Sequence, residues 1–530
     1  MINDVYLAGN ERYIKDFQFL FPDISGQIID YPIKHLLEKS VILCMHKEQS
    51  VIADMAKCGF DYNKNFFFAC DFIENWVEYE ILHRAKGKKV AIWGAGNTAK
   101  TFLPNLGELK IDCIIDSGAE TGSNNSLNGI QVVNPDSLGN EFWTNHFIIV
   151  ASIYYEEISD ALKALNLKEF DDYLSYMAFP VELTDRIIEA IEMSPRCTFP
   201  CPSAQKTLAM GLDGYLYPCL AVGWSCPIGN VIYDKKNNIC NSVIMRAFEL
   251  SFKNLNNAFC EYDCCDILFN ADEYSESKYY KDSLTLPDHI VGAAYDDSCN
   301  LFCYSCRNSI EGGKNPRKNY IHEIFKSDIL PGSKLLYAAG RGEVFASPYY
   351  SDLLKSESIS GVEQLLLHSN GVLATEYRIA GLCKRVKSVG IMISVDGAKD
   401  ETYKKLRRGG DFKKLCDNIE ALGKMRVEGR LKGLGLLFVV SKENYKEIVD
   451  FTIWADQNHV DSIVFIKLDN WGIWSTDEFR EMDMTDENRA PKTELKEEIQ
   501  KMYALSTKCN KYYDKETLFI RDMLLLLSNR

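Results

Sequence analysis

The stretch Ile290-Val-Gly-Ala-Ala-Tyr-Asp-Asp-Ser-Cys299-Asn-Leu-Phe-Cys303-Tyr-Ser-Cys306 decides how this 530-residue chain is read. It opens as a short apolar β-run and leads directly into three cysteines spaced C-x3-C-x2-C, which places them on a loop at the carboxyl end of a strand. Three thiolates this close can each bind a different iron of one [4Fe–4S] cube, leaving the fourth iron open to another ligand. Zinc would require a fourth ligand and a second pair at matching spacing, and none lies within forty residues downstream. Inert buried cysteines are the remaining alternative.

Working outward, five further β-runs follow: Leu335-Leu-Tyr-Ala-Ala339, Gln364-Leu-Leu-Leu-His368, Val389-Gly-Ile-Met-Ile-Ser394, Gly435-Leu-Leu-Phe-Val-Val440 and Ser462-Ile-Val-Phe-Ile466. Separated by helix-length stretches, they predict a parallel, barrel-like α/β sheet over 285–474 with its chemistry at the carboxyl ends of the strands. A charged tail of helical pattern covers 475–530 and carries no chemistry that can be named.

The cysteines reinforce the metal reading. Eleven of the eighteen fall between Cys197 and Cys306, whereas Cys44, Cys58, Cys70, Cys113, Cys383, Cys416 and Cys509 are scattered and read as small buried apolar residues. No apolar run is long enough to span a membrane, and the start has no basic region followed by an apolar one, so the expected location is the cytoplasm. There a reducing environment gives structural disulfides no role. A net charge of -15 is the wrong sign for a protein that binds by neutralising phosphates, which argues against nucleic acid as a partner.

With these motifs in order, the region from about 286 to 472 resembles the radical S-adenosylmethionine (SAM) superfamily. The resemblance implies a partial (β/α)6 TIM-like barrel in which the open iron chelates SAM. The reduced cluster then splits SAM to a 5′-deoxyadenosyl radical, which abstracts hydrogen from substrate. Ala339-Gly-Arg-Gly-Glu343 looks like the family's Gly-Gly-Glu motif, so Gly342 and Glu343 are expected at SAM, with Glu343 receiving its ammonium group. Ser369-Asn370-Gly371 and Ser394-Val-Asp396-Gly397 match further motifs, the latter in the region that meets the SAM ribose and carboxylate. Arg407, in Lys405-Leu-Arg-Arg-Gly-Gly410, is a plausible guanidinium partner for that carboxylate. Two departures stand out: Ser305 precedes the third cysteine where the family has an aromatic residue, with Tyr304 one place earlier, and Val344 stands where proline is common.

Before the barrel, residues 190–275 are rich in Gly, Pro, Asn, Asp and Cys, and Cys201 and Cys219 bracket Gly214 as C-x12-G-x4-C, ahead of Cys260-Glu-Tyr-Asp-Cys264-Cys265. This resembles the SPASM/twitch module, which implies an auxiliary [4Fe–4S] cluster on Cys201, Cys219, Cys260 and Cys264. In the family that module follows the barrel; here it precedes it. Zinc on the same four thiolates is the structural alternative, and Cys197, Cys226, Cys240 and Cys265 are left unassigned.

The first 185 residues read as two small Rossmann-like α/β modules, an abbreviated one over 1–84 and a fuller one over 85–185. In the second, Gly94-Ala-Gly96-Asn-Thr-Ala99 lies between a β-run and a helix, and Asp116 follows twenty residues beyond Gly96. That spacing matches a dinucleotide fingerprint, with Gly94 and Gly96 at a pyrophosphate and Asp116 at a ribose diol. A nucleotide here and a purely structural module both remain open.

The combined expectation is a radical SAM enzyme acting on a small-molecule or peptide substrate. The front modules suggest a nucleotide-linked sugar or glycan precursor, the cysteine module a peptide-modifying maturase. The family resemblance adds a flavodoxin- or ferredoxin-type electron donor. From a different class, a non-catalytic metal-stabilised scaffold or binding protein would keep the same cysteines.

Overall fold

The computed structural model describes residues 4–8, 11–22, 27–29, 40–44, 55–57, 66–68, 70, 73, 76–106, 109–120, 125–152, 154–178, 184–192, 195, 201, 206–219, 227–260, 289–307, 317–338, 340, 342–470, 473–486 and 490–505. The chain divides into two units: residues 1–196 with 228–259, and residues 197–227 with 260–530.

The first unit contains two parallel sheets. Strands β1 (Asp4–Ala8), β2 (Gln27–Ile29), β3 (Ser40–Cys44) and β4 (Phe66–Phe68) lie in the order β2-β1-β3-β4, all parallel. Strands β5 (Lys89–Trp93), β6 (Ile111–Ile115), β7 (Ser126–Leu127), β8 (Ile130–Val133), β9 (His146–Val150) and β10 (Tyr173–Ser175) are ordered β10-β9-β5-β6-β8-β7, parallel except for the β7–β8 hairpin. Strand β9 is buried throughout and, after His146, apolar along Phe147-Ile-Ile-Val150, as a central parallel strand covered on both faces must be. One face of this sheet packs Ala91, Trp93, Cys113, Ile115, Ile148 and Val150 against Trp143 and Leu162.

Residues 228–259 belong to this unit, so the stretch expected to form one cysteine-rich module over 190–275 contributes to both. The reason lies in the helix Val243–Lys253, whose apolar residues Ile244, Ala247, Phe248, Leu250 and Phe252 are buried. Its anchors are polar and distant in sequence: Arg246 Nε donates to Leu20 O at 2.8 Å, and the Asn254 amide reaches the buried Asp16 carboxylate at 3.2 Å and Ala190 O at 3.0 Å.

In the second unit, strands β13 (Ile290–Ala293), β14 (Leu335–Ala338), β15 (Gln364–Ser369), β16 (Ser388–Ser394), β17 (Gly433–Val440) and β18 (Ser462–Lys467) pair in chain order, all parallel. These are the six expected β-runs, and the fold class is the expected α/β barrel type. Strand β11 (Thr207–Met210) extends the sheet by pairing parallel to β13, and β12 (Tyr215–Tyr217) folds back antiparallel on β11. The turn between them carries Gly214 at φ +79°, the left-handed conformation expected of glycine in a tight hairpin.

Parallel register fixes which side chains share the interior face. Ile290, Leu335, Tyr337, Leu366, Met392, Leu437 and Val464 form one buried cluster with contributions from all six strands. Along β15 and β16 the residues two places beyond Leu366 and Met392 are His368 and Ser394, and His368 is in register with Met392. Strand alternation therefore carries the interior face from apolar to polar at the carboxyl ends. The alternate residues feed the outer layer, where Phe438 packs on Phe451 at 4.8 Å and on Phe465 at 5.4 Å between ring centres. Beyond β18 lie the helices Thr476–Met482 and Thr493–Leu505; residues 506–530 lie outside the described residues.

Candidate metal and cofactor site at the barrel rim

The loop after β13 carries Cys299, Cys303 and Cys306, all three as free cysteines. Cys303 is buried and the other two half-buried. The loop turns on itself at Cys303, whose carbonyl accepts from Cys306 N at 3.0 Å and Arg307 N at 3.2 Å. Each sulfur has a donor. Leu301 N–H lies 3.4 Å and Asn370 Nδ2 3.9 Å from Cys299 Sγ, an Arg407 guanidinium nitrogen lies 3.7 Å from Cys303 Sγ, and Arg307 bonds Cys306. Burial pushes the Cys299 and Cys303 thiols up; Leu301 N–H and Arg307 oppose this at Cys299, and Arg407 opposes it at Cys303. Three thiols supplied with N–H donors and two guanidinium groups suit an anionic thiolate–iron assembly, so the residues fit a cluster.

The loop is clamped from behind. Lys318, itself buried, donates to Asp296 at 2.8 Å and Asp297 at 2.5 Å, and Arg307 donates to Asp297 O at 2.7 Å. Gly342 packs so closely that a Cβ there would lie 2.5 Å from Asp296 O, which explains why the second strand's loop needs glycine.

Glu343 joins three strand ends. Its backbone N–H donates to Ser298 O at 2.8 Å, while its carboxylate accepts from Ser369 Oγ at 2.7 Å, Asn370 N at 2.6 Å and Phe345 N at 3.2 Å. Burial raises its pKa, and the Asn370, Ser369 and Phe345 donors hold it down against that. Oε2 accepts only the Asn370 bond among these, so it keeps acceptor capacity for a further donor. Asn370 also donates to Asn300 Oδ1 at 2.9 Å, tying the third strand's loop to the cysteines.

Ser394 shares a 2.8 Å hydrogen bond with His368 Nε2. Burial and the nearby Arg407 push His368 down to about 4, so it is neutral at physiological pH. Asp396, two residues on, has φ +63°, a left-handed conformation that aspartate tolerates better than most residues. Its Oδ1 accepts from Val439 N at 2.7 Å, and its Oδ2 lies 2.6 Å from Arg407 Nε in an ion pair. The guanidinium expected at a SAM carboxylate thus faces Asp396 and Cys303. Burial works against the Arg407 charge, but Asp396 and Cys303 outweigh it and raise its pKa.

Tyr304, the aromatic residue nearest the expected adenine position, packs at a tilt of 56° on Trp474 with ring centres 5.2 Å apart and lies under the Arg408 guanidinium at 5.4 Å. Sequence reasoning did not single out Arg307, Lys318, Asp296 or Arg408. Arg307 had a signal, since it directly follows the last cysteine; Lys318 had none.

Of the auxiliary set, Cys201, Cys219 and Cys260 are half-buried in the second unit, and Cys264 lies outside the described residues, as do Cys197, Cys226 and Cys265. Cys240 belongs to the first unit. Among the described residues no three His, Cys, Asp or Glu side chains sit close enough to grip a single metal ion. Of the scattered cysteines, Cys70 and Cys113 are buried, Cys383 and Cys416 half-buried, while Cys58 and Cys509 lie outside the described residues.

In the glycine loop Gly94 has φ +123°, and a Cβ there would fall 2.5 Å from Ala151 O. The Asp116 carboxylate accepts from Ala95 N at 2.9 Å and Gly118 N at 2.8 Å, so it is engaged with the loop's own backbone. Gly96 caps a six-residue helix without a side-chain bond.

Residues 297–455 match the family model of the radical SAM superfamily, and residues 86–170 match the model described as C2185-like, N-terminal. The chain is 24% identical over 191 residues to GTP 3',8-cyclase of Lactiplantibacillus plantarum, covering 34% of this chain and 55% of that protein. To GTP 3',8-cyclase of Alkaliphilus metalliredigens it is 27% identical over 213 residues, covering 38% and 63%. It therefore spans little more than half the length of these curated relatives. Streptococcus suis SuiB bound to S-adenosylmethionine aligns with TM-score 0.29 at 15% identity, over 50% of this chain and 61% of that one. The family implies a [4Fe–4S] cluster used with SAM. Among the described residues no helix is long and apolar enough to cross a membrane.

Proposed function

We propose, for a chain that carries a radical SAM domain, that the barrel cleaves SAM reductively at a [4Fe–4S] cluster held by Cys299, Cys303 and Cys306 and abstracts hydrogen from a small-molecule or peptide substrate. The observation that carries this reading is the set of three free thiols on one strand-end loop, each met by an N–H donor and two of them by guanidinium groups. When bound, the cluster would supply the electron that splits SAM into methionine and a 5′-deoxyadenosyl radical, the electron coming from a flavodoxin- or ferredoxin-type donor.

The chain's own residues position and enclose. Glu343, through the free acceptor capacity of Oε2, would receive the SAM ammonium, with Gly342 allowing the close approach of that loop. Asn370 holds the third strand's loop against the cysteines. Ser394 and neutral His368 present a polar interior wall at the carboxyl ends, suited to ribose hydroxyls. An auxiliary cluster on Cys201, Cys219, Cys260 and Cys264 is the further proposal for the second unit, resting on their spacing.

The test is anaerobic reconstitution followed by iron and sulfide analysis and an assay for 5′-deoxyadenosine. Two cubes predict about eight irons per chain, and Cys303→Ala should lose about four of them together with all SAM cleavage. Full cleavage by Cys303→Ala would falsify the assigned site. Nucleotide or sugar released from the same preparation would support a nucleotide-linked substrate; its absence, with turnover of a short peptide, would support the maturase reading.

A further inference from the structure

Arg407 stands opposite Cys303 because the backbone puts it there. Phe302 N donates to Arg408 O at 3.1 Å and Tyr304 N to Leu406 O at 2.8 Å. The residues flanking Cys303 are thus bonded to the residues flanking Arg407, which sets the two in register like partners on adjacent strands. Arg408 reinforces the pairing: its Nε donates to Phe302 O at 3.1 Å, and its guanidinium lies 5.4 Å from each of the Phe302 and Tyr304 ring centres. From this seat Arg407 sends one nitrogen to Cys303 Sγ at 3.7 Å and another to Asp396 Oδ2 at 2.6 Å, with its side chain only 13% exposed.

Asp396 is fixed just as firmly. Val439 N donates to its Oδ1 at 2.7 Å, and Asn444 Nδ2 donates to its backbone carbonyl at 2.9 Å. The result is a chain of charge, carboxylate–guanidinium–sulfur, in which Asp396 is held by Val439 of β17 and Arg407 is held to the cysteine loop through the backbone bonds of its two neighbours.

We propose that Arg407 is a positioning residue that sets the reduction potential of the cluster on Cys299, Cys303 and Cys306, with Asp396 as the counter-charge that limits its effect. This rests on the cluster reading above. A positive charge and an N–H donor at a ligating sulfur favour the reduced, more negative cluster and raise its potential. Partial neutralisation by Asp396 lowers it. The two residues therefore act with opposite sign, which a purely structural role would not produce.

The experiment is an EPR-monitored redox titration of the reconstituted full-length chain, with iron counted in each sample. Arg407→Gln should lower the ratio of reduced to oxidised cluster at a fixed potential about tenfold, which for a one-electron couple is a shift of about 59 mV to more negative values. Asp396→Asn should shift the potential the other way: asparagine tolerates the same backbone conformation and can keep the Val439 bond through its carbonyl oxygen, while its amide, facing the guanidinium, supplies no counter-charge. Arg407→Lys should restore most of the wild-type value. Potentials that stay unchanged at full iron content, or that move in the same direction in both variants, would overturn the proposal. Should Arg407→Gln fail to load iron, Asp396→Asn and Arg407→Lys decide it alone. A wild-type chain that binds no cluster at the three cysteines would instead sink the functional reading itself.

Discussion

Two parallel sheets in this chain each end in a loop with an acid one or two residues past a buried strand, and they use that acid in opposite ways. In the sheet of residues 89–175, Asp116 follows β6 and its two oxygens accept from Ala95 N and Gly118 N, backbone groups of the loops that surround it. At the barrel rim, Asp396 follows β16 and pairs with Arg407, whose other nitrogen faces a candidate ligand sulfur. Parallel topology delivers polar groups to the carboxyl edge in both cases. Whether the edge can do chemistry depends on what those groups are already bonded to.

The largest effect that would break the comparison concerns His368. Its folded pKa, pushed down to about 4 by burial and Arg407, lies below the unfolded value of 6.5. A group depressed in this way stabilises the fold fully above the unfolded value and loses that contribution as pH falls through the folded one. Between pH 7 and pH 4 the barrel should thus lose at most about 3 kcal/mol through this one side chain. Hydrogen exchange of peptides covering 364–396 reads the loss locally, which suits a chain of two units better than a global melt. His368→Gln should flatten the dependence over that window, while peptides covering 89–115 stay unchanged in both proteins. Equal acid sensitivity in both sheets would remove the contrast.

Next in size is the interlock at Glu343. Glu343→Gln keeps the volume, and its carbonyl can still face Ser369 Oγ and Phe345 N, but its amide must then meet Asn370 N–H donor to donor. One buried N–H is left unsatisfied, which costs about 2 kcal/mol. Exchange at residues 369–372 should accelerate about thirtyfold. No acceleration would mean that the carboxylate is not the strut that joins the strand ends.

How much of this was legible beforehand follows from the range of the forces involved. The six barrel strands could be read because a strand buried on both faces is apolar along its middle, as Leu335–Ala338 and residues 389–393 are. The cysteine loop could be read because thiol spacing is local in sequence. The partner of Arg407 could not: Asp396 is eleven residues away, Cys303 over a hundred, and only the pairing of 302 and 304 with 408 and 406 decides between a solvated guanidinium and a buried one. The reach of residues 228–259 into the first unit escaped for a similar reason. The amphipathic helix Val243–Lys253 announces that it needs a partner but not which helix supplies it. Asp116 shows the converse case, a spacing that fits a dinucleotide fingerprint with a carboxylate that accepts from backbone N–H groups of its own loops.

The smallest effect sharpens that last point. If Asp116 serves its own loop, Asp116→Ala removes two bonds from a carboxylate to backbone N–H groups at a half-exposed site, worth about 1 kcal/mol in total. The loss should appear as roughly fivefold faster exchange at residues 94–99 and 116–119, with SAM cleavage and cluster content unchanged. A carboxylate that instead belongs to a ribose diol would leave exchange of the ligand-free loop little altered and would show itself as loss of a nucleotide that the unaltered protein retains through purification. The two outcomes differ in which observable moves, so one variant decides whether this carboxyl edge supports a ligand or only itself.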